Sequence, residues 1–483
     1  MTPDQADARS IMIAGEMLNW SDLHPSDGRP ALSGAAPAAL LEAVLGGGSA
    51  GSVLVAGPHS LDLLKVVADR AESVDVLVRS APDAEEIAEA LDVRVFCGSL
   101  DHFGAEHGEN SYDVVVALDG FARLVGPDTP VLTWTDALAA LKARLAPSGR
   151  LLLAAENSFG IERLVQPDPT ITVPRDEAWA RDVAGDVAPP AGFKAVSAVV
   201  ESAGLTATFA VYPSLDEAEV ALAEVSGPFT AAVVARSIAA RFTGPTLTDP
   251  YRTTQDAIAS GLGRELAPGW YFVAGAPSLP SVLPVGAVPT GSGVLLEEQL
   301  LAALRIDDHA AVRRTVLAFA EWLRAQDPAI AAVASADNVI ADGSSYRVFG
   351  DGAKVEGEGD ALLVGQLARF VRRSLEAGSR QPWPAGGSLR DLTARLASMA
   401  GITVTDELWA GVADGNEPAQ PVGAAEQLAT IARLSQELAD ANTQATWFES
   451  QLDGIRRSRP YRIGQAVLNP ARVVVKRVRR VTR

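Results

Sequence analysis

Five places in this 483-residue chain set polar side chains just beyond a short apolar run, where a buried strand would present them to a ligand, one of them Arg79-Ser80 after Val74–Val78. Gly57-Pro58-His59-Ser60 follows Ser52–Ala56 (SVLVA), and Gly98-Ser99-Leu100-Asp101 comes soon after Val93–Phe96. Asp119-Gly120 follows Tyr112–Leu118 (YDVVVAL), and Glu156-Asn157 follows Arg150–Ala155 (RLLLAA). The imidazole of His59 suits a general base at a ligand entrance, and equally a cap on the helix after it. Asp119 before Gly120 fits a cap or turn as well as a ligand contact. Glu156 and Asn157 divide in the same way between turn chemistry and a substrate-facing role. The lone cysteine, Cys97, excludes an intramolecular disulfide and a thiolate zinc site, and reads as a small buried apolar residue. His102 and His107 lie near Asp101 and Glu106 in a polar stretch, a pattern to which no metal is assigned.

The elements that must position these residues alternate. The helix Ala36–Leu45 stops at Gly46-Gly47-Gly48, and helices at Leu61–Arg70, Asp83–Leu91 and Trp134–Leu145 separate the strands Ser52–Ala56, Val74–Val78, Val93–Phe96, Tyr112–Leu118 and Arg150–Ala155. Short continuous apolar strands alternating with helices predict an α/β, doubly wound, mostly parallel sheet covered on both faces. Its ligands belong beyond the C-terminal strand ends, where strand order reverses. A helix at Phe193–Ala203, then strands at Thr206–Tyr212 and Thr230–Ala235, are expected to complete the sheet.

Ser111–Gly160 resembles the second half of a class I S-adenosylmethionine-dependent methyltransferase domain. YDVVVALDG (Tyr112–Gly120) resembles that family's fourth strand, and LAPSGRLLLAAEN (Leu145–Asn157) its Pro-x-Gly turn and fifth strand, with Trp134 near the start of the helix between them. AENSFGIERL (Ala155–Leu164), GFKAVSAVVESAGL (Gly192–Leu205) and FAVYPSLDEAEV (Phe209–Val220) are similar to methyltransferase-like proteins linked to bacterial surface-glycan synthesis. The resemblance implies a Rossmann-like fold and S-adenosyl-L-methionine as cofactor. It implies donor contacts from Gly57, Ser60, Ser99, Leu100, Asp119 and Gly120. It also implies catalytic roles for His59 and Glu156, and an acceptor contact from Asn157. The expected activity is methyl transfer to a cell-envelope glycan or polymer precursor. The alternative is an inactive methyltransferase-fold scaffold in a surface-polysaccharide assembly complex.

Two positions depart from that family. Its donor loop reads approximately Gly-x-Gly-x-Gly, whereas Ala56-Gly57-Pro58-His59-Ser60 keeps one glycine and Pro58 lacks a backbone donor. The acid expected at the end of the second strand is replaced by Arg79-Ser80, with Asp75 too early in the strand and Asp83 in the next helix. A nicotinamide dehydrogenase would need the same glycines and acid.

The rest of the chain is read as a smaller α+β region at 241–410, a linker at 411–423, an amphipathic helix at 424–455 and a basic tail at 456–483, after a Rossmann-like domain at 1–240. The smaller region holds helices at Asp307–Gln326 and Ala361–Ala377 and a hairpin at Asn338–Phe349 turning at Asp342-Gly343. Asn338 and Asp351 faintly resemble the magnesium residues of small-molecule phosphotransferases, but neither the catalytic His-Asp pair nor a glycine-rich nucleotide loop accompanies them. Apolar content of 48% and charged content of 21% fit a globular chain. Of 41 Lys/Arg and 60 Asp/Glu, ten of the former and none of the latter fall in 456–483, so the tail carries +10 and residues 1–455 carry −29. An acidic body argues against nucleic acid as a partner. SRPYRIGQAVLNPAR (Ser458–Arg472) is similar to C-terminal segments of bacterial envelope-polymer enzymes. Residues 424–483 are expected to meet an anionic membrane surface or envelope-assembly proteins. No signal peptide or spanning segment is apparent, so the expected location is cytoplasmic, peripheral at the inner face of the membrane.

Overall fold

The computed structural model describes residues 9–25, 29–46, 50–106, 111–126, 129, 132–166, 187–242, 246–276, 278–350, 354–376 and 387–412, with isolated positions between 433 and 448. The chain divides into two compact units, Met1–Pro421 and Val422–Arg483. In the second unit the described positions are helical, and the rings of Trp447 and Phe448 meet edge to face at 5.0 Å. The expected basic tail and most of the expected linker lie outside the described residues.

The first unit is built on a ten-stranded sheet. Its strands are β1 (Ser10–Met12), β2 (Ser52–Ala56), β3 (Ser73–Val78), β4 (Arg94–Cys97), β5 (Tyr112–Ala117), β6 (Leu145–Glu156), β7 (Leu205–Tyr212), β8 (Val220–Leu222), β9 (Gly269–Ala274) and β10 (Val282–Leu283). They lie in the order β1-β4-β3-β2-β5-β6-β9-β7-β8-β10. All pairings from β1 to β6 are parallel. β9 runs antiparallel between β6 and β7, and β8 and β10 extend that edge antiparallel. Within β2, Val53 and Val55 enter one core while Leu54 and Ala56 enter the other; Val114/Val116 and Val115/Ala117 of β5 do the same. Both faces are therefore covered, as the continuous apolar runs require. Helices α1 (Ala35–Leu45), α2 (Leu61–Ala68) and α3 (Ala81–Ala90) pack on one face, and α4 (Leu100–Glu106) and α5 (Trp134–Lys142) on the other. The result is a Rossmann-like, doubly wound, mostly parallel α/β sheet. Strand order reverses between β2 and β5, which sets Gly57 and Asp119 at the switch point.

Three features differ from expectation. Thr230–Ala235 is not a strand but part of the helix Pro228–Ala240, which Gly227 and the N-terminal Pro228 start cleanly. The strand that completes the sheet is β9, an aromatic run, GWYFVA, at a place where no strand is expected from the sequence pattern. β1 adds a parallel strand from a segment that reads as a polar start.

A smaller antiparallel sheet has the order β11 (Val294–Leu295), β12 (Val339–Asp342), β13 (Ser345–Val348), and β12–β13 is a hairpin turning at Gly343 in the left-handed region, φ 62°. The helices Leu296–Arg305, His309–Arg324, Gly359–Glu376 and Leu389–Met399 pack with it around a core of their own. The side-chain amide of Asn338 donates to Val333 O (2.8 Å) and Gly350 O (2.9 Å), so it braces the hairpin; Asp351 lies outside the described residues. No helix among the described residues is long and apolar enough to cross a membrane.

Candidate functional site

β1 sits beside β4 and runs parallel to it, so the chain leaves β1 at the same rim where β2 to β6 end. From there residues 13–25 and 29–33 form a strap across three strand ends in turn. At β4, Ile13 N donates to Cys97 O (2.8 Å) and Ser99 N to Ala14 O (3.1 Å). At β3, Met17 N donates to Arg79 O (2.7 Å) and Ala81 N to Met17 O (3.0 Å). At β2, Leu32 N donates to Pro58 O (3.1 Å) and Ser60 N to Leu32 O (2.9 Å). The contact leaves no slack. A Cβ added at Gly98 would collide with Ile13 and Ala14, and one at Gly126 with Gly15.

Side chains lock the strap. Arg79 forks onto Asp22, Nε to Oδ2 at 2.8 Å and Nη2 to Oδ1 at 2.7 Å, and the two side chains are only 1% and 5% exposed. Burial by itself would raise the Asp22 carboxyl; the Arg79 fork and the Arg123 charge overcome it and hold the group below its ordinary range. Trp20 Nε1 also donates to Asp22 (2.9 Å), and Asp83 accepts from Ser21 Oγ and from the backbone N–H of Asp22 and Leu23. Arg79 thus stands where an acid was expected because its counter-charge comes from the protein's own strap.

The sequence-predicted residues divide along the rim. Gly57 adopts φ 96° and lies against Asp119, 3.4 Å from the position a Cβ would take. His59 is 1% exposed; its Nδ1 hydrogen-bonds Gly57 O (2.9 Å) and its buried Nε2 has no protein partner. Burial lowers the imidazole's pKa, so it rests neutral, sealed from ligand by the strap rather than poised as an accessible base. The cap of α2 is Ser60, not His59. Ser99 and Leu100 are fully buried, Ser99 Oγ donating to Asp101 (2.6 Å). Asp119 is enclosed by two guanidiniums: Arg123 binds it bidentately, and Arg29 of the strap reaches Oδ1 at 3.1 Å. Asn157 spends its amide on Glu265 O (2.9 Å) and Ala267 O (2.8 Å) and accepts from Phe159 N, which ties the end of β6 to the loop before β9.

Space remains beyond β5 and β6. A cavity of about 200 Å³ is lined by Asp119, Gly120, Phe121, Trp134, Glu156 and Arg163, among others, with Arg29 at one side. Gly57, Asp119 and Glu156 therefore do share a rim, and Asp119, Gly120 and Glu156 border this cavity. Glu156 is ion-paired to Arg163. A second, polar cavity of about 320 Å³ shares Glu156 and Arg163 and adds Glu162, Asp216 and Arg241. Burial raises Glu162 to about 7 against the pull of Arg163, and its Oε2 is buried without a partner. Arg29 also pairs with Asp216; burial raises that carboxyl even so. Sequence reasoning missed Asp22, Arg29, Arg123 and Asp216. Only the four-residue spacing of Asp119 and Arg123 was a local signal; Asp22–Arg79 and Arg29–Asp216 join distant segments.

No family model matches the chain, and no curated protein matches it by sequence. Solved structures similar to it include the N-methyltransferase NodS of Bradyrhizobium japonicum WM9, at 17% identity over 38% of this chain and 89% of that one, TM-score 0.25. Another is a SAM-dependent methyltransferase of Archaeoglobus fulgidus, at 12% identity over 47% and 86%, TM-score 0.27. A third is the geranyl diphosphate C-methyltransferase of Streptomyces coelicolor A3(2), solved with Mg2+, geranyl diphosphate and S-adenosyl-L-homocysteine, at 12% identity over 49% and 74%, TM-score 0.25. Likenesses of this size decide nothing about chemistry. The Rossmann-like class rests on the strand order itself.

S-adenosylmethionine would need the ends of β2, β3 and β4, and the strap holds them. The open volume beside them is the cavity of about 200 Å³ at β5 and β6, adjoined by the polar cavity of about 320 Å³ that shares Glu156 and Arg163.

Proposed function

We propose that this protein keeps a methyltransferase-type fold as a binding scaffold, with the strap of residues 13–25 and 29–33 standing in the donor's position and the cavity at the ends of β5 and β6 taking a small polar ligand. The observation that carries this is the buried Asp22–Arg79 fork, which consumes the side chain at the donor-ribose position. Apolar walls from Phe121 and Trp134, with Glu156 and Arg163 at the edge, suit a hydroxylated ligand such as a glycan fragment. A cell-envelope glycan setting, and contact of residues 424–483 with assembly proteins or an anionic surface, belong to the same proposal. They rest on the resemblances at Ala155–Val220 and Ser458–Arg472.

A second reading is S-adenosylmethionine-dependent methyl transfer after the strap swings away. It is favoured by one observation: the open cavity borders Asp119 and Gly120, where a methyl acceptor would wait. Calorimetric titration of the full chain with S-adenosylmethionine separates the two. Heat at the dilution baseline up to millimolar donor is expected; a saturable isotherm establishes the second reading instead.

A further inference from the structure

A cavity of about 420 Å³ lies away from the rim, where the helix Pro228–Ala240 faces the smaller sheet. That volume falls inside the roughly 300–1,000 Å³ range of small-molecule sites. Three guanidiniums converge on it, Arg236 from the helix Pro228–Ala240 and Arg369 and Arg373 from the helix Gly359–Glu376. Two carboxylates are in contact with them. Asp337 accepts from Arg369 (Nη2 at 3.1 Å, Nε at 3.4 Å), and Glu297 takes Arg373 Nε at 2.8 Å. Arg236 Nη1 bonds only the backbone carbonyl of Asp337 (2.6 Å), and its closest carboxylate oxygen is 3.8 Å away. One positive charge is thus left without a carboxylate in hydrogen-bond contact.

The surroundings feel that excess. Burial, together with the charge of Arg373, lowers Arg236 from the ordinary guanidinium value despite Asp337, Glu297 and Glu219. Glu219 also lines the cavity, and burial raises its carboxyl toward the neutral form, which can donate to or accept from a hydroxyl. Asn338 is committed to the hairpin and takes no part.

We infer that this cavity binds a small phosphate monoester, its phosphate forked by Arg236 and Arg369 and a hydroxyl of its organic part at Glu219. A dianionic oxygen cluster supplies the missing counter-charge, and guanidinium forks match phosphate geometry better than an ammonium would. Nothing in this site depends on the rim or on the function proposed for it.

The test is calorimetric titration of the full chain at low ionic strength with inorganic phosphate and, separately, glycerol 3-phosphate. Saturable binding of both is expected, tighter for the ester. Arg236→Gln should weaken it at least about tenfold, the worth of one charge-assisted bond. Arg369→Lys, which keeps the charge but loses the fork, should weaken it less, and its unfolding curve shows whether the fold is intact. Absence of saturable heat, or binding that neither substitution changes, overturns the assignment. If Arg236→Gln does not fold, Arg369→Lys alone decides.

Discussion

The two halves of the rim differ in what fills them. Beyond β2, β3 and β4 the strap answers Pro58 O with Leu32, Arg79 with Asp22 and Ser99 with Ala14, and leaves His59 Nε2 buried without a protein partner. Beyond β5 and β6 the rim carries Glu156, Arg163 and a raised Glu162 around open volume. One half has been turned into core, with paired charges and glycines pressed against backbone. The other keeps open volume, the Glu156–Arg163 ion pair and one buried carboxylate oxygen, Glu162 Oε2, without a hydrogen-bond partner. Fold and site have separated within a single sheet, since the same parallel strands support both halves.

The largest expected effect comes from breaking the filled half. Asp22→Ala leaves the Arg79 guanidinium buried without its carboxylate and should cost about 3–5 kcal/mol in urea unfolding. Replacing both partners together, Asp22→Leu with Arg79→Met, should recover most of that loss, because the desolvated charge goes with its partner. A small loss for Asp22→Ala would mean that the strap is loosely held.

The open half predicts the opposite sign. Glu162 is raised from an ordinary 4.5 to about 7, so the folded state holds its proton at higher pH than the unfolded chain does. Its contribution is fully present below about pH 4.5 and is lost as pH rises through about 7. Glu162→Gln should therefore be near neutral at pH 4.5. At pH 8 it should stabilise by on the order of 1–3 kcal/mol, read from urea midpoints at the two pH values. An equal effect at both would show that Glu162 is not desolvated.

The parallel half of the sheet was legible because its strands are short, apolar and punctuated by Gly and Pro, so β2 to β6 and the helices α2, α3 and α5 follow from pattern alone, while α4 lies in a stretch read as polar. Thr230–Ala235 misled because a six-residue apolar run has no period of its own, and length settles it only once Pro228 is seen to start a thirteen-residue helix. β9 carried a signal in its aromatic residues, obscured by the Gly and Pro around it. The strap was not legible. β1 has three residues, and its remaining hold is backbone pairing and ion pairs across 26 residues or more, which leave no periodic trace. Yet its consequence was visible as the departures at Pro58 and Arg79: a proline with no donor to offer and a cation in place of an acid suit a rim whose partner is the chain itself.

Amide hydrogen exchange at residues 13–25 and 29–33, with and without S-adenosylmethionine, tests the strap most directly. Ile13, Met17 and Leu32 should be protected to the level of β3 and should not respond to the donor. Exchange at the rate of an open loop, or protection that collapses when donor is added, would contradict the filled rim.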